Sequence, residues 1–172
     1  MRAIQLDAYG GPDVLKLRNV IDPVAKAGEL VVDIHAASVN PVDWKIRNGA
    51  RMDNLVLTFP YTPGVDFSGV VRAAGESVDG FGAGDEVFGV TPQTQQGTYA
   101  EAIAVDASLV TRKPASLSHI DTAALALVGA TAIVSLDTIN LTAGETILIH
   151  AGAGGVGGFA LQYAKYLGAT VY

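Results

Sequence analysis

Cysteine is absent from the 172 residues, which removes disulfides and every thiolate metal site. Tryptophan occurs once, methionine twice, and charged residues make up only 16 % of the chain. Basic residues are outnumbered, 11 against 17 acidic ones, leaving a net charge of −6 and a pI of about 4.8. No cluster of Lys and Arg interleaved with aromatics occurs, so neither nucleic acid nor an anionic membrane is an expected partner. Long apolar runs are lacking too. The longest, Ala123 to Leu136, contains Gly129, Thr131 and Ser135 and reads as a buried helix, too short to span a bilayer. Met1 to Gly10 holds no apolar segment of a secretion signal. With the missing cysteines, this gives a cytoplasmic location as the expectation.

What is present is a globular composition, with 49 % hydrophobic residues. The first part reads as short strands: Ala3 to Leu6, Val14 to Val20, Leu30 to Ala37, Ser68 to Ala74, Glu86 to Phe88, Tyr99 to Val105 and Leu109 to Arg112. Turn signals separate them, among them Gly10-Gly11-Pro12 and Gly80 to Asp85. This spacing predicts a partly open barrel or a sandwich. Val42 to Asn48 reads as one or two helical turns after Pro41, stopped by Gly49. The pattern changes near Ser116. Ser118 reads as an N-cap with Asp121 in the first turn, opening a long apolar helix to about Asn140. The domain boundary falls near Ala123, giving domains 1–122 and 123–172.

The second domain opens on Thr146 to His150, which reads as a buried parallel strand. A glycine-rich turn follows: Gly152, Ala153, Gly154, Gly155, Val156 and Gly157, in the pattern G-x-G-x-x-G. Such a turn needs a tight reversal, close approach of backbone to a pyrophosphate, and close helix–strand packing. The helix after it offers unpaired N–H groups and a positive dipole end. Val156 to Leu167 reads as that helix, with Gly168 as its C-terminal stop, and Ala169 to Tyr172 begins a second strand. Strand, turn, helix and strand in this order are the opening of a dinucleotide-binding fold.

Four separated motifs then agree in order: Pro63 to Val71, Gly84 to Gly89, Gly97 to Glu101 and Ala151 to Gly157. The chain resembles the medium-chain dehydrogenase/reductase superfamily, and within it the zinc-free quinone and enone oxidoreductase branch. The resemblance implies a mixed β and α/β fold: a GroES-like, partly open β-barrel domain followed by the first strand–helix–strand of a Rossmann fold. Family members are about twice as long. The sequence is therefore read as an N-terminal half, an incomplete enzyme that is weak or inactive alone. A homo-oligomer, or docking of the missing C-terminal half, is the expected assembly.

Zinc-dependent relatives carry cysteine where this chain has Asn40, and a His-Glu pair where it has Val65-Asp66. Valine cannot ligate a metal and asparagine is a poor zinc ligand, so no zinc is expected. His35, His119 and His150 are scattered and are assigned structural roles. Without a Lewis acid, a carbonyl must be polarised by hydrogen bonds or a cation. The segment Asn40-Pro41-Val42-Asp43-Trp44-Lys45 is similar to one in enone and quinone oxidoreductases. The resemblance implies that Asn40 and Lys45 contact the cofactor, and Lys45 is the candidate catalytic residue, stabilising an enolate oxygen; a solvated surface lysine is the alternative. Asp43 and Trp44 are assigned to local structure and packing. Gly129-Ala130-Thr131-Ala132 resembles the segment whose threonine meets the nicotinamide, making Thr131 a cofactor contact; a threonine bonded to its own helix is the alternative. The implied cofactor is NADP(H) rather than NAD(H), and the implied substrate a small quinone or α,β-unsaturated carbonyl. A fold-retaining protein without the chemistry is the competing reading.

Overall fold

The computed structural model describes residues 1–172. The chain divides into two compact units, Met1–Ala124 and Leu125–Tyr172.

In the first unit, β1 (Arg2–Gln5) and β2 (Lys16–Asn19) form an antiparallel ribbon. A five-stranded antiparallel sheet is built from β3 (Glu29–Ala36), β4 (Asp66–Ala74), β5 (Glu86–Val90), β6 (Ala102–Asp106) and β7 (Val110–Arg112), in the order β6-β3-β4-β5-β7. Single bridges, Ala3 to Ala100 and Leu6 to Tyr61, tie β1 to the rest of the unit. Register shifts in β3, between Val31 and Val32 and between Ile34 and Ala36, bend the sheet as bulges do. The core is what strand alternation predicts. Leu30, Val32, Phe67, Val71, Val87, Ile103, Val105 and Val110 pack together on the inner face. A second cluster of Leu6, Ile46, Leu55, Leu57 and Tyr61 holds the short helix α1 (Pro41–Arg47) through Ile46.

The expected GroES-like, mixed architecture is found, with local differences. Val14 is the last residue of a short 3-10 turn, Pro12–Val14, because Pro12 sets the turn, and β2 starts only at Lys16. Tyr99 to Glu101 precede β6 and bond to β1, with the Ile4 N–H donating to the Tyr99 carbonyl at 2.8 Å. The sequence pattern merged these two pairings into one strand.

Helix α2 (His119–Thr138) begins in the first unit and continues into the second. Ser118 caps it as expected: its Oγ accepts the Asp121 N–H at 3.1 Å and donates to Asp121 Oδ2 at 2.6 Å. At 20 residues α2 is long and apolar enough to cross a membrane. The sequence expectation of too short a segment is thereby corrected, since the helix extends through polar residues at both ends of the apolar run. Ala123, Ala126, Ala132 and Leu136 are buried within the protein.

The second unit also contains β8 (Thr146–Ile147), α3 (Gly155–Tyr166) and β9 (Thr170–Val171), with β8 and β9 parallel. Pairing extends past the formal strand ends, since Ile149 N–H donates to the Tyr172 carbonyl at 2.8 Å. Ala132, Leu136, Ala160 and Ala164 form the core. The small alanines let the helices approach closely. Gly168, at φ 86°, ends α3 in the left-handed conformation that a C-terminal glycine supplies.

Candidate functional site

Each candidate residue is placed by its own unit. In the first, α1 starts at Asn40, whose backbone is extended, with Pro41 at the first helical position. Asn40 and Asp43 close a capping box. Asp43 Oδ2 accepts the Asn40 N–H at 2.6 Å and the Tyr99 hydroxyl at 2.9 Å. Asp43 is 5 % exposed, and its Oδ1 is buried without a hydrogen-bond partner. Burial pushes its carboxyl above the usual aspartate value, against the lowering by its hydrogen bonds. Burial, then the charge of Asp43, raises the Tyr99 hydroxyl far above the ordinary tyrosine value, and the same causes push Tyr61 up to about 12. Tyr99 therefore serves as a neutral donor. Asp43 takes the structural role read from the sequence, but its partners are a backbone N–H and a tyrosine rather than a basic side chain.

The Asn40 side chain does not stand free. Nδ2 donates to Asp66 Oδ2 at 3.1 Å and to Ser38 Oγ at 3.0 Å. Asp66 is fully buried on β4 and also accepts the Ser38 N–H at 3.2 Å and the Ser38 hydroxyl at 2.7 Å. Val65, beside it, is buried in apolar packing. Sequence reasoning treated Asp66 only as the occupant of a zinc ligand's place. A charged residue inside the apolar run Val65 to Val71 was the available signal that it works as a buried acceptor.

Lys45 is exposed on α1, its Nζ 5.7 Å from the centroid of the Trp44 ring. It has no carboxylate partner. A cation held only by an indole face remains available to an external oxygen. Asn40 and Lys45 thus belong to one short segment, the first as N-cap of α1 and the second inside it. Trp44, itself half exposed, packs locally.

A further cluster joins Ser68, His119, Glu86, Lys113 and His35. Ser68 Oγ is 2.8 Å from His119 Nδ1, and His119 Nε2 is 3.3 Å from Glu86 Oε1. The order serine–histidine–carboxylate is that of a nucleophilic relay. Ser68 is nevertheless fully buried and bonds to the Val87 carbonyl at 3.1 Å, so no substrate reaches it. The cluster anchors the start of α2 to β4 and β5, which fits the structural role assigned to His119. His35 packs against His119, with ring centroids 4.5 Å apart and the ring planes tilted by 42°. His150 is exposed in the second unit. No group of three or more His, Cys, Asp or Glu side chains has metal-binding geometry.

In the second unit, Gly152, Ala153, Gly154, Gly155, Val156 and Gly157 form the turn into α3, with Gly154 as N-cap. The left-handed residue is not a glycine but Ala151, at φ 58°. Gly157 is required for packing: a Cβ there would meet the Ala151 carbonyl oxygen, the Ala151 carbonyl carbon at 2.8 Å and Gly152 Cα at 3.0 Å. The turn is thus folded against the first residues of α3, as close backbone approach to a pyrophosphate requires. Thr131 lies on α2, exposed, and donates Oγ1–H to the Leu127 carbonyl at 2.7 Å. Its donor is spent on its own helix, while its oxygen can still accept.

Residues 26–115 match the alcohol dehydrogenase GroES-like domain family. The chain is 41 % identical over 174 residues to the quinone oxidoreductase of Sus scrofa, covering 99 % of this chain and 51 % of that one. To the 2-methylene-furan-3-one reductase of Solanum lycopersicum it is 40 % identical over 174 residues, covering 97 % and 45 %. A mycobacterial protein solved in complex with NADPH superposes with a TM-score of 0.87 at 33 % identity, over 99 % of this chain and 52 % of that one. The chain spans about half the length of the curated relatives it matches.

Proposed function

The chain belongs to the alcohol dehydrogenase GroES-like domain family, within the quinone oxidoreductase branch of the medium-chain dehydrogenase/reductase superfamily, and from that premise we propose that it serves NADPH-dependent, zinc-independent reduction of a quinone or an α,β-unsaturated carbonyl. The observation that carries this reading is the parallel β8–α3–β9 unit, with its glycine turn packed onto the start of α3. Its residues fit a dinucleotide: backbone N–H groups at the N-terminal end of a twelve-residue helix suit a pyrophosphate, and a side chain at Gly157 would obstruct the turn. When bound, reduced nicotinamide supplies the hydride.

The chain's own residues hold and polarise. Lys45 offers a flexible ammonium, free of any carboxylate, to an oxygen that gains negative charge as hydride arrives. Asn40 and Thr131 offer side-chain oxygens to cofactor donors. The zinc-independent part of the reading is supported by donor chemistry. The Asn40 amide is engaged with Asp66 and Ser38, and Val65, which precedes Asp66 in the chain, has no ligating atom. NADPH in preference to NADH, a cytoplasmic setting and a homo-oligomeric assembly belong to the same proposal; the NADPH complex of the mycobacterial relative supports the first.

Steady-state oxidation of NADPH and NADH, with a small quinone and a simple enone as acceptors, tests this reading. The expected result, in the full-length protein that carries this sequence, is turnover with NADPH preferred, and a kcat/KM at least about tenfold lower for Lys45→Ala, a loss of about 1.4 kcal/mol of transition-state stabilisation; the 172 residues alone are expected to be weak or inactive. Unchanged kinetics in the variant would remove Lys45 from the mechanism.

A further inference from the structure

An amide side chain can face a ligand with either its oxygen or its nitrogen, and neighbours decide which. At Asn40 the neighbours leave little choice. An Asp66 carboxylate only accepts hydrogen bonds. Its known partners are all donors: the Ser38 N–H, the Ser38 hydroxyl and an Asn40 amide hydrogen. Because the Ser38 hydroxyl hydrogen is directed to Asp66, Ser38 Oγ accepts the second Asn40 amide hydrogen, at 3.0 Å. Both Nδ2 hydrogens are thereby committed inside the barrel. Turning the amide over would set its oxygen against the Asp66 carboxylate and leave a buried acceptor unpaired, an arrangement costing about 1–3 kcal/mol. Oδ1 consequently faces away from Asp66; the Asp43 N–H of the first turn goes to the Asn40 backbone carbonyl at 3.0 Å, so Oδ1, on a residue 7 % exposed, keeps its lone pairs for an outside donor.

We propose that Asp66 is the positioning residue that fixes Asn40 with its carbonyl oxygen outward, so that Asn40 recognises a ligand N–H or O–H and not a carbonyl oxygen. The inference rests on the proposed nicotinamide reading for the identity of the ligand, a carboxamide or ribose hydroxyl being the donor. The orientation itself rests only on Asp66, Ser38 and Asn40. It divides labour on α1: Asn40 holds a donor, and polarisation of a carbonyl falls to Lys45.

The test is side-chain amide NMR on the 172-residue chain. Both Asn40 amide hydrogens should exchange with solvent at least about tenfold more slowly than those of the exposed Asn19, Asn48 and Asn54. Asp66→Asn, whose own amide can satisfy either orientation, should remove that protection. Equal exchange in the wild-type protein, where no folding question arises, overturns the proposal, as does full protection in folded Asp66→Asn. Free nicotinamide and N,N-dimethylnicotinamide, which lacks the N–H donors, are then titrated in turn. A shift of the Asn40 resonances with nicotinamide alone supports donor recognition, and equal shifts with both overturn it. Protected amide hydrogens with no response to either probe would leave the orientation standing and overturn donor recognition, together with the nicotinamide reading of Asn40.

Discussion

The Tyr99 hydroxyl donates to Asp43 Oδ2 at 2.9 Å and so ties the segment before β6 to helix α1. Asp43 is a buried carboxylate with one oxygen unpaired, and this bond is one of the two it makes at full strength. Tyr99→Phe removes the donor and leaves the charge in place. The expected loss is about 1–3 kcal/mol, typical of a buried acceptor deprived of a partner. Denaturant unfolding followed by Trp44, the only tryptophan and the neighbour of Asp43, reads it directly. A change below a few tenths of a kcal/mol would mean that water replaces the hydroxyl.

The His119 anchor makes stability pH-dependent. Burial, then the neighbouring His35, holds His119 below the usual histidine value of 6.5, while Glu86 acts in the other direction and Lys113 in the same one. The unfolded chain therefore takes up the proton first as the pH falls. The contribution of this site is fully present above about pH 6.5 and is lost as the pH drops from there through the lower folded value. His119→Gln, which keeps hydrogen-bonding atoms without the titration, should flatten the fall in unfolding free energy across that window. An unchanged slope would take His119 out of the pH dependence.

Two substitutions in the glycine turn should act in opposite directions. Gly157→Ala drives a methyl group into the Ala151 carbonyl and Gly152 Cα, with an expected loss of about 1–3 kcal/mol from overpacking and weaker dinucleotide binding. Ala151→Gly relieves a left-handed alanine at φ 58° and should stabilise by up to about 1 kcal/mol. Hydrogen exchange at the Ile149 amide, which bonds to the Tyr172 carbonyl, reports on both variants.

The contrast at that turn shows how far the sequence could be read. G-x-G-x-x-G located the turn, the helix after it and the packing need at Gly157. It did not show that the strained reversal falls on Ala151, because backbone conformation at a non-glycine residue is imposed by the surrounding fold. Strands with clear alternation, such as β3 and β4, were legible. The boundary around Tyr99 to Asp106 was not, because one extended segment serves two neighbours, β1 and β3, in succession. In the candidate site, Asn40, Asp43 and Lys45 were visible as one short segment. Their partners Asp66 and Tyr99 come from 26 and 56 residues away, and only tertiary pairing brings them in.

The central claim is hydride transfer from reduced nicotinamide to an unsaturated carbonyl or quinone. Its most direct measurement uses NADPH deuterated at the transferring carbon, with a simple enone and the full-length protein that carries this sequence, followed by mass spectrometry of the product. The account predicts oxidised cofactor and deuterium on the enone β-carbon, in equal amounts. Cofactor oxidation without deuterium in any carbonyl product, or no oxidation with either an enone or a quinone, would contradict it.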